Sequence, residues 1–121
     1  MSDAKDLVDR YIAIWNDTDA ASRRALIART WTEDASYVDP LMQGDGHDGL
    51  DAMIAGVQQR FPDFRFSLLG APDAHGDRLR FGWALGPQGG AAVVKGTDFA
   101  VVAGDGRLQA VTGFLDQVPA H

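Results

Sequence analysis

Apolar side chains in the first half of the chain recur with helical spacing. Between residues 3 and 16 they fall at i, i+4, i+7 and i+8 from Leu7, which places them on one face of a helix. Similar stripes predict helices over about 20–30 and about 49–61, and Pro62 ends the third helix because proline cannot continue the backbone hydrogen bonds. The pattern therefore predicts three helices, with a strand between the second and the third.

That strand lies in Ala35–Pro40 and ends on a carboxylate. Strand alternation places Tyr37 and Asp39 on one face and Val38 on the other. Pro40 stops the strand because it lacks the N–H that a ladder requires. An acid held at this point can face a pocket, or it can be a turn residue whose side chain bonds its own loop. The dipeptide Asp39-Pro40 alone leaves both interpretations open.

After Pro62 the apolar period changes from helical to alternating. The sequence predicts four strands separated by turns, at about 64–73, 78–85, 91–103 and 108–118. In the second of them, every other residue from Leu79 to Leu85 is apolar, so these side chains share a face. Gly82 and Gly96 lie inside strands, where glycine favours bending.

Helices that precede a run of strands indicate an α+β fold, here as one domain over residues 1–121. A curved, mostly antiparallel sheet covered by three helices can close into a cone. We expect the cone to enclose an apolar pocket between the first helix, the first strand and the inner face of the sheet. The glycine-rich stretch 43–49 is expected to be a loop, and it fits neither a phosphate-binding nor a calcium-binding pattern.

Charge and composition narrow the classes of function. The net charge of −6 argues against nucleic acid as a partner, since binding phosphates requires a basic patch, and Arg23 and Arg24 are expected on the solvated face of the second helix. No apolar run approaches the length of a membrane helix, about 18 residues. The N-terminal stretch is acidic and polar, unlike a signal peptide, so we expect a cytoplasmic protein that does not contact a membrane. The absence of cysteine excludes disulfides and thiolate chemistry.

The three histidines are far apart in the sequence. His47 lies in the glycine-rich loop, His75 in a turn and His121 at the terminus. Each is expected to be solvated, and no spacing among them suggests a metal site. We therefore expect neither a metal nor an organic cofactor.

Several short motifs along the chain fit one family pattern. They are Arg10-Tyr11-Ile12, Trp31-Thr32-Glu33-Asp34-Ala35, Val38-Asp39-Pro40, Gly49, Asp98 and Asp105-Gly106-Arg107-Leu108. In these motifs and in the order of its elements, the chain resembles the nuclear transport factor 2-like (NTF2-like) superfamily, in its SnoaL-like and ketosteroid isomerase branch. The resemblance covers nearly the whole chain. It is specific for the fold but only weakly informative about the activity, because this superfamily hosts many functions on one cone.

The resemblance to ketosteroid isomerases implies roles for three residues. In those enzymes a tyrosine of the first helix and a strand aspartate form the oxyanion hole, and an aspartate directly before a proline is the general base. Matched position by position, Tyr11 and Asp98 fall on the two donors and Asp39 falls on the base. The resemblance thus implies cofactor-independent proton transfer next to a carbonyl group of a small apolar molecule, of isomerase or polyketide-cyclase type.

The chemistry of these residues is compatible with such roles. Asp98 lies in an apolar strand, where burial would disfavour its anion and leave it able to donate. Tyr11 would supply a second donor to the same oxyanion, while Asp39 could stay ionised nearer the pocket mouth. Each residue also has a structural interpretation. Asp39 can be a turn residue, Asp98 a buried acid bonded to the backbone or to the first helix, and Tyr11 a core residue with a satisfied hydroxyl.

Five further side chains are candidates for the pocket lining. Trp15, Trp83 and Phe114 are expected in the pocket wall or the core. Tyr37 shares the face of Asp39 and is expected at the mouth. Asp116 follows Phe114 by two residues, so it either shares that inner face or lies at an exposed strand end. The bulk of Trp15 departs from the isomerases and puts a steroid in doubt as the substrate.

A second functional interpretation needs no catalysis. The same cone could bind a small apolar ligand, or it could act as a dimeric interaction module. Family members commonly pair through the outer face of the sheet, and the predicted strands carry apolar residues on both faces. We therefore expect a homodimer in either case.

Overall fold

In a computed structural model, which describes residues 3–119, the chain forms three helices and six strands. The helices are α1 (Asp3–Asn16), α2 (Ala20–Thr30) and α3 (Gly46–Arg60). The strands are β1 (Trp31–Val38), β2 (Gln43–Asp45), β3 (Phe64–His75), β4 (Arg78–Pro87), β5 (Val94–Val102) and β6 (Leu108–Gln117). Within the described part of the chain, no helix is both long and apolar enough to cross a membrane.

All six strands form one sheet in the order β2-β1-β6-β5-β4-β3. Neighbouring strands run antiparallel, except that β1 and β6 are parallel. The parallel pairing brings the end of β1, at Val38, beside Thr112 in the last strand. The fold is α+β, with three helices packed on a six-stranded, mostly antiparallel sheet, and this confirms the fold class that the sequence predicts.

The region around β1 and β2 differs from the sequence prediction. β2 pairs with β1 in the stretch that was expected to be a loop, because three residues are too few for alternation to reveal a strand. Gly44 of β2 packs tightly on α3, since a Cβ there would lie 2.9 Å from the carbonyl oxygen of Gly49. β1 begins at Trp31 rather than Ala35, directly after α2, and the Trp31 N–H still bonds to the α2 backbone.

The core lies between the helices and the inner face of the sheet. β4 shows the predicted alternation, since Leu79, Phe81, Trp83 and Leu85 are all buried. Gly96 in neighbouring β5 leaves room for the Trp83 ring, because a Cβ there would lie 2.3 Å from the Cζ2 atom of Trp83. The register of β5 on β6 also shifts at Gly96, in agreement with its expected place in a bend.

A buried arginine joins α2 to its neighbours. Arg23 is only 5% exposed; its Nε donates to Oδ1 of Asp51 at 2.7 Å, and its Nη1 donates to the carbonyl of Asp17 and to Gln58. The expectation that Arg23 faces solvent is therefore wrong, because α3 covers this side of α2. The charge is tolerated there because each of these donors has an oxygen partner.

Candidate active site

The site begins with a hydrogen bond between α1 and β5. Tyr11 lies on the apolar stripe of α1, and Asp98 lies on the inner face of β5, opposite Phe81 and Gly113 of the neighbouring strands. The hydroxyl of Tyr11 donates to Oδ2 of Asp98 at 2.6 Å, and both side chains are 2% exposed. The structure thus brings together the two residues that the sequence suggested as oxyanion donors.

Trp83 supplies a second donor to Asp98. Its indole N–H donates to Oδ1 of Asp98 at 2.9 Å, so both carboxyl oxygens have a partner. Trp83 can reach Asp98 because its ring passes over the backbone of Gly96, where a side chain would block it. We expected Trp83 in the pocket wall or the core, and its bond to Asp98 was not predicted. The signal was the position of Trp83 opposite Gly96, which precedes Asp98 by two residues.

Burial dominates the electrostatics of this pair. Desolvation raises the pKa of Asp98 to about 6, although the bonds from Tyr11 and Trp83 oppose that rise and the charge of Asp39 adds to it. Burial and then the charge of Asp98 also raise the pKa of Tyr11 well above its usual value. Tyr11 therefore stays a phenol that can donate, while Asp98 changes its protonation state in the weakly acidic range.

Asp39 follows β1 directly and is half-buried. Its Oδ2 accepts the hydroxyl of Tyr37 at 2.7 Å, and its Oδ1 accepts the backbone N–H groups of Leu41 at 2.8 Å and Met42 at 3.0 Å. The turn interpretation is thus confirmed, since the carboxylate organises the chain after Pro40. The role of Asp39 as a base stays a prediction.

Tyr37 and the two acids converge on Gly113 of β6. A Cβ at Gly113 would lie 2.9 Å from Oδ1 of Asp98, 3.0 Å from the hydroxyl of Tyr37 and 3.2 Å from Cβ of Asp39. Burial, followed by the charges of Asp98 and Asp39, raises the pKa of Tyr37, so its hydroxyl remains a donor between the two carboxyls. Tyr11, Tyr37, Asp39 and Asp98 therefore form one contiguous group, which we call the acid cluster.

Two of the expected lining residues lie outside this site. Phe114 is 56% exposed, and Asp116 is exposed and accepts the hydroxyl of Thr97 at 2.7 Å. The expectation that Phe114 lies in the pocket wall or the core is wrong, because Gly113 and Leu115 take the inner positions of β6 and alternation turns their neighbours outward. Of the two placements left open for Asp116, the exposed strand end is the one observed. Both residues belong to the outer face of the sheet.

The Trp15 ring packs against the acid cluster. Its ring centroid lies 6.2 Å from that of Tyr11, 5.6 Å from that of Tyr37 and 5.2 Å from that of Phe66. The indole N–H is buried and makes no hydrogen bond to any residue in the described part of the chain. The Trp15 side chain nevertheless lies close enough to the Tyr11 hydroxyl to lower the pKa of Tyr11, which opposes part of the rise that burial causes.

A cavity of about 190 Å³ adjoins the other side of Trp15. It lies between the C-terminal ends of α1 and α3 and the strands β3 and β4, with Phe61, Phe64 and Phe66 among its walls. Among its lining residues in the described chain, Trp15 is present but Tyr11, Asp39 and Asp98 are not. The pocket expected at Tyr11, Asp39 and Asp98 is thus displaced, because Trp15 and Tyr37 fill the space beside these residues.

Neither of the two histidines that the structure describes takes part in this site. His47 is half-buried, and its Nε2 lies 3.0 Å from the carbonyl oxygen of Trp31, so it is not the solvated loop residue that we expected. His75 is exposed, and His121 lies outside the described residues. Within residues 3–119, no group of three or more metal-binding side chains comes together.

Comparison with known proteins places this architecture in a family. Residues 8–111 match the SnoaL-like domain family. The structure is similar to that of a candidate isomerase of the SnoaL-like family from Agrobacterium tumefaciens str. C58, with 44% identity and a TM-score of 0.91 over 96% of this chain and 99% of that chain. The chain therefore belongs to the SnoaL-like family within the NTF2-like superfamily.

More distant solved structures share the fold. An NTF2-like protein of unknown function from Exiguobacterium sp. 255-15 has 22% identity and a TM-score of 0.71, over 91% of this chain and 98% of that chain. A candidate polyketide cyclase from Sinorhizobium meliloti has 16% identity and a TM-score of 0.69, over 89% of this chain and 93% of that chain. None of the curated proteins matches the chain.

Proposed function

We propose that the protein is an enzyme that moves a proton between carbon atoms next to a carbonyl group of a small apolar molecule, without a cofactor. One observation carries this proposal: the buried Tyr11–Asp98 hydrogen bond lies in the same contiguous group as Asp39. The likeness to a candidate isomerase that is 44% identical supports it.

The reaction divides between a base and two donors. The Asp39 carboxylate removes a proton from the carbon next to the carbonyl, and the C–H electron pair becomes the carbon–carbon double bond of an enolate. The carbonyl oxygen takes up the negative charge, where the Tyr11 hydroxyl and a protonated Asp98 donate to it. Asp39 then returns the proton to another carbon, so the reaction consumes no other reagent.

The surroundings of Asp98 suit a donor. Trp83 donates to Oδ1, so a neutral Asp98 carries its proton on Oδ2, and the Tyr11 hydroxyl then releases Oδ2 and donates to the substrate oxygen instead. With its pKa raised to about 6 by burial, Asp98 carries that proton for an appreciable part of the time in weakly acidic solution. A substrate oxygen that reaches Oδ2 and the Tyr11 hydroxyl would then meet two donors.

Turnover of a panel of β,γ-unsaturated ketones tests this function. Asp39→Asn keeps an oxygen for the turn N–H groups of Leu41 and Met42 but removes the base, so we expect the rate to fall by at least 100-fold. Asp116→Asn, on the outer face, is the matched control and should leave the rate unchanged. Equal rates for wild type and Asp39→Asn would remove Asp39 from the mechanism.

Binding without catalysis is the second candidate, and one observation favours it. Tyr11 and Asp98 satisfy each other, while Asp39 is engaged by three hydrogen bonds of its own turn and strand. Native mass spectrometry of freshly purified protein separates the candidates. A co-purified small apolar molecule together with no turnover of the ketone panel would support the binding protein.

We also propose that two copies pair through the outer face of the sheet. Val38, Leu69, Phe99 and Phe114 are between 39% and 56% exposed, and they lie on four different strands. The strand register aligns Val38 with Phe99 across Thr112, and Leu69 with Phe114 across Gly82 and Thr97, so only small side chains separate the members of each pair. Pairing of two copies would remove these side chains from water, and that burial would stabilise a dimer.

A further inference from the structure

Hydrogen bonds fill most of the acceptor positions of the Asp39 carboxylate. An ionised carboxylate has about four lone-pair positions, two on each oxygen. The backbone N–H groups of Leu41 and Met42 take both positions of Oδ1, at 2.8 and 3.0 Å, and the Tyr37 hydroxyl takes one position of Oδ2, at 2.7 Å. Within residues 3–119 the carboxylate accepts no further hydrogen bond, so its remaining lone pair lies on Oδ2.

The two oxygens of this carboxylate have different surroundings. Oδ1 faces the turn after Pro40, because both of its donors belong to that turn. Oδ2 is bound to the Tyr37 hydroxyl, which would lie 3.0 Å from a Cβ at Gly113, and the same point is 2.9 Å from Oδ1 of Asp98. Oδ2 is therefore the oxygen of Asp39 that faces the acid cluster, and it carries the lone pair that can take up a proton.

Tyr37 is a well-fixed donor to Oδ2. Its backbone pairs on both sides, with Gly44 of β2 and with Val111 of β6. Its side chain is 3% exposed, and its ring packs against that of Trp15. Burial, followed by the charge of Asp98, raises the pKa of Tyr37, so the hydroxyl keeps its proton and does not compete as a base.

We propose that Tyr37 is a positioning residue for the base, which orients Oδ2 of Asp39 toward the proton of the substrate carbon. The inference rests on the proposed function and adds a residue to it. The two turn N–H groups fix Oδ1, and the Tyr37 hydroxyl fixes the plane of the carboxylate by holding Oδ2. Hydrogen bonds to an ionised acceptor are stronger than those to a neutral one, so the bond from Tyr37 weakens when Oδ2 takes the proton. Tyr37 thus also favours return of the proton to carbon.

Deuterium exchange of 1-indanone in D₂O, measured over a range of substrate concentrations, tests the positioning role. Tyr37→Phe removes the hydroxyl and keeps the ring, so we expect kcat to fall at least tenfold, because a small displacement of a reacting group is costly. KM should stay within about twofold of wild type, since the Tyr37 hydroxyl does not touch the substrate. Tyr11→Phe is the matched change at an oxyanion donor and should also raise KM. An unchanged kcat in Tyr37→Phe would overturn the proposal.

Fluorine NMR tests the bond between Tyr37 and Asp39 without turnover. The chain has two tyrosines, so Tyr11→Phe protein labelled with 3-fluorotyrosine carries the label only at Tyr37. Adding Asp39→Asn replaces the charged acceptor with a neutral amide and should shift the Tyr37 resonance. Adding Asp116→Asn, on the outer face, should leave that resonance unchanged. A resonance that does not respond to Asp39→Asn would show that the hydroxyl does not bind Asp39 in solution, which would contradict the proposal.

The two measurements distinguish failure of the positioning role from failure of the proposed function. If exchange depends on Asp39 but kcat is the same in wild type and Tyr37→Phe, the positioning role fails and the proposed function stands. If exchange does not depend on Asp39 while the fluorine resonance does, the proposed function fails together with the positioning role, and the bond between Tyr37 and Asp39 is a structural one.

Discussion

Tyr11 and Asp98 lie 87 residues apart in the sequence, yet the hydroxyl of one donates to the carboxyl of the other at 2.6 Å inside the core. Hydrogen bonds to charged groups contribute about 1.5–3 kcal/mol, and charge-assisted bonds are among the shorter ones in proteins. The bond therefore joins α1 to the middle of the sheet as well as defining the candidate site.

The raised pKa of Asp98 predicts a pH dependence of stability. Burial raises this pKa to about 6, above the value of about 3.9 for an unfolded chain, so the folded protein binds the proton more tightly. The stabilisation is complete below about pH 4 and is lost as the pH rises through 6. Across this window, wild type should lose about 3 kcal/mol relative to Asp98→Asn, at 1.36 kcal/mol per pKa unit.

Urea unfolding of both proteins from pH 4 to pH 7.5 measures this difference. The other carboxyls are present in both proteins, so their contributions to the pH dependence of the free energy of unfolding cancel in the comparison with Asp98→Asn. Asp116→Asn, the same acid-to-amide change on the outer face, is the control for the substitution itself. A constant difference between wild type and Asp98→Asn would contradict the raised pKa.

Removal of the Tyr11 hydroxyl should shift the titration of Asp98. Tyr11→Phe deletes a bond that lowers the pKa of Asp98, so this pKa should rise further, with a loss of about 1–3 kcal/mol of stability near neutral pH. Carbon NMR of aspartate carboxyls follows the titration directly. Tyr37→Phe is the control, since Tyr37 bonds to Asp39 instead and its loss should move the Asp98 midpoint much less.

Gly113→Ala should disturb the acid cluster without unfolding the chain. The added Cβ would meet Asp98, Tyr37 and Asp39 at 2.9–3.2 Å, so we expect about 1–3 kcal/mol of destabilisation and a fall in any ketone turnover. Gly104→Ala is a matched control, because a Cβ there meets nothing of the described chain within 4 Å. If both variants unfold at the same urea concentration as wild type, Gly113 is not a point of close packing.

The outer-face dimer predicts a strong effect of charge at Phe114. Phe114→Lys places a cation in the exposed apolar surface, so light scattering at micromolar concentration should show a dimer for wild type and a monomer for the variant. Leu41→Lys is the control, since Leu41 is 71% exposed in the turn after β1 rather than on the sheet. A wild-type monomer at these concentrations would rule out the pairing.

Local pattern was sufficient to predict much of the fold. The stripe from Leu7 to Trp15 predicts α1, and the alternation from Leu79 to Leu85 predicts β4, because each pattern reports burial on one side of one element. β2 has no such pattern, since it has three residues and is held by its pairing with β1. The burial of Arg23 depends on where α3 packs, which no local pattern records.

In the site too, some contacts follow from local sequence spacing, whereas others depend on how distant parts of the chain pack together. Asp39 and Tyr37 lie on the same side because Asp39, directly after β1, is two residues from Tyr37 and continues the alternation of the strand, and this was predictable. The bond from Trp83 to Asp98 and the outward placement of Phe114 depend on strand register and on which side of β6 is covered. The displacement of the cavity depends on how Trp15 and Tyr37 pack together, which only the three-dimensional structure reveals.

The most direct test of the account is deuterium exchange at the carbon next to the carbonyl of 1-indanone, followed by proton NMR in D₂O at pD 6 and pD 8. We expect wild type and Asp116→Asn to catalyse the exchange, Asp39→Asn to lose at least 100-fold, and Tyr11→Phe to lose at least tenfold. Exchange by wild type should also be faster at pD 6, where Asp98 retains its proton more often. Exchange at the same rate in wild type, Asp39→Asn and protein-free buffer would contradict the proposal that the acid cluster is a proton-transfer site.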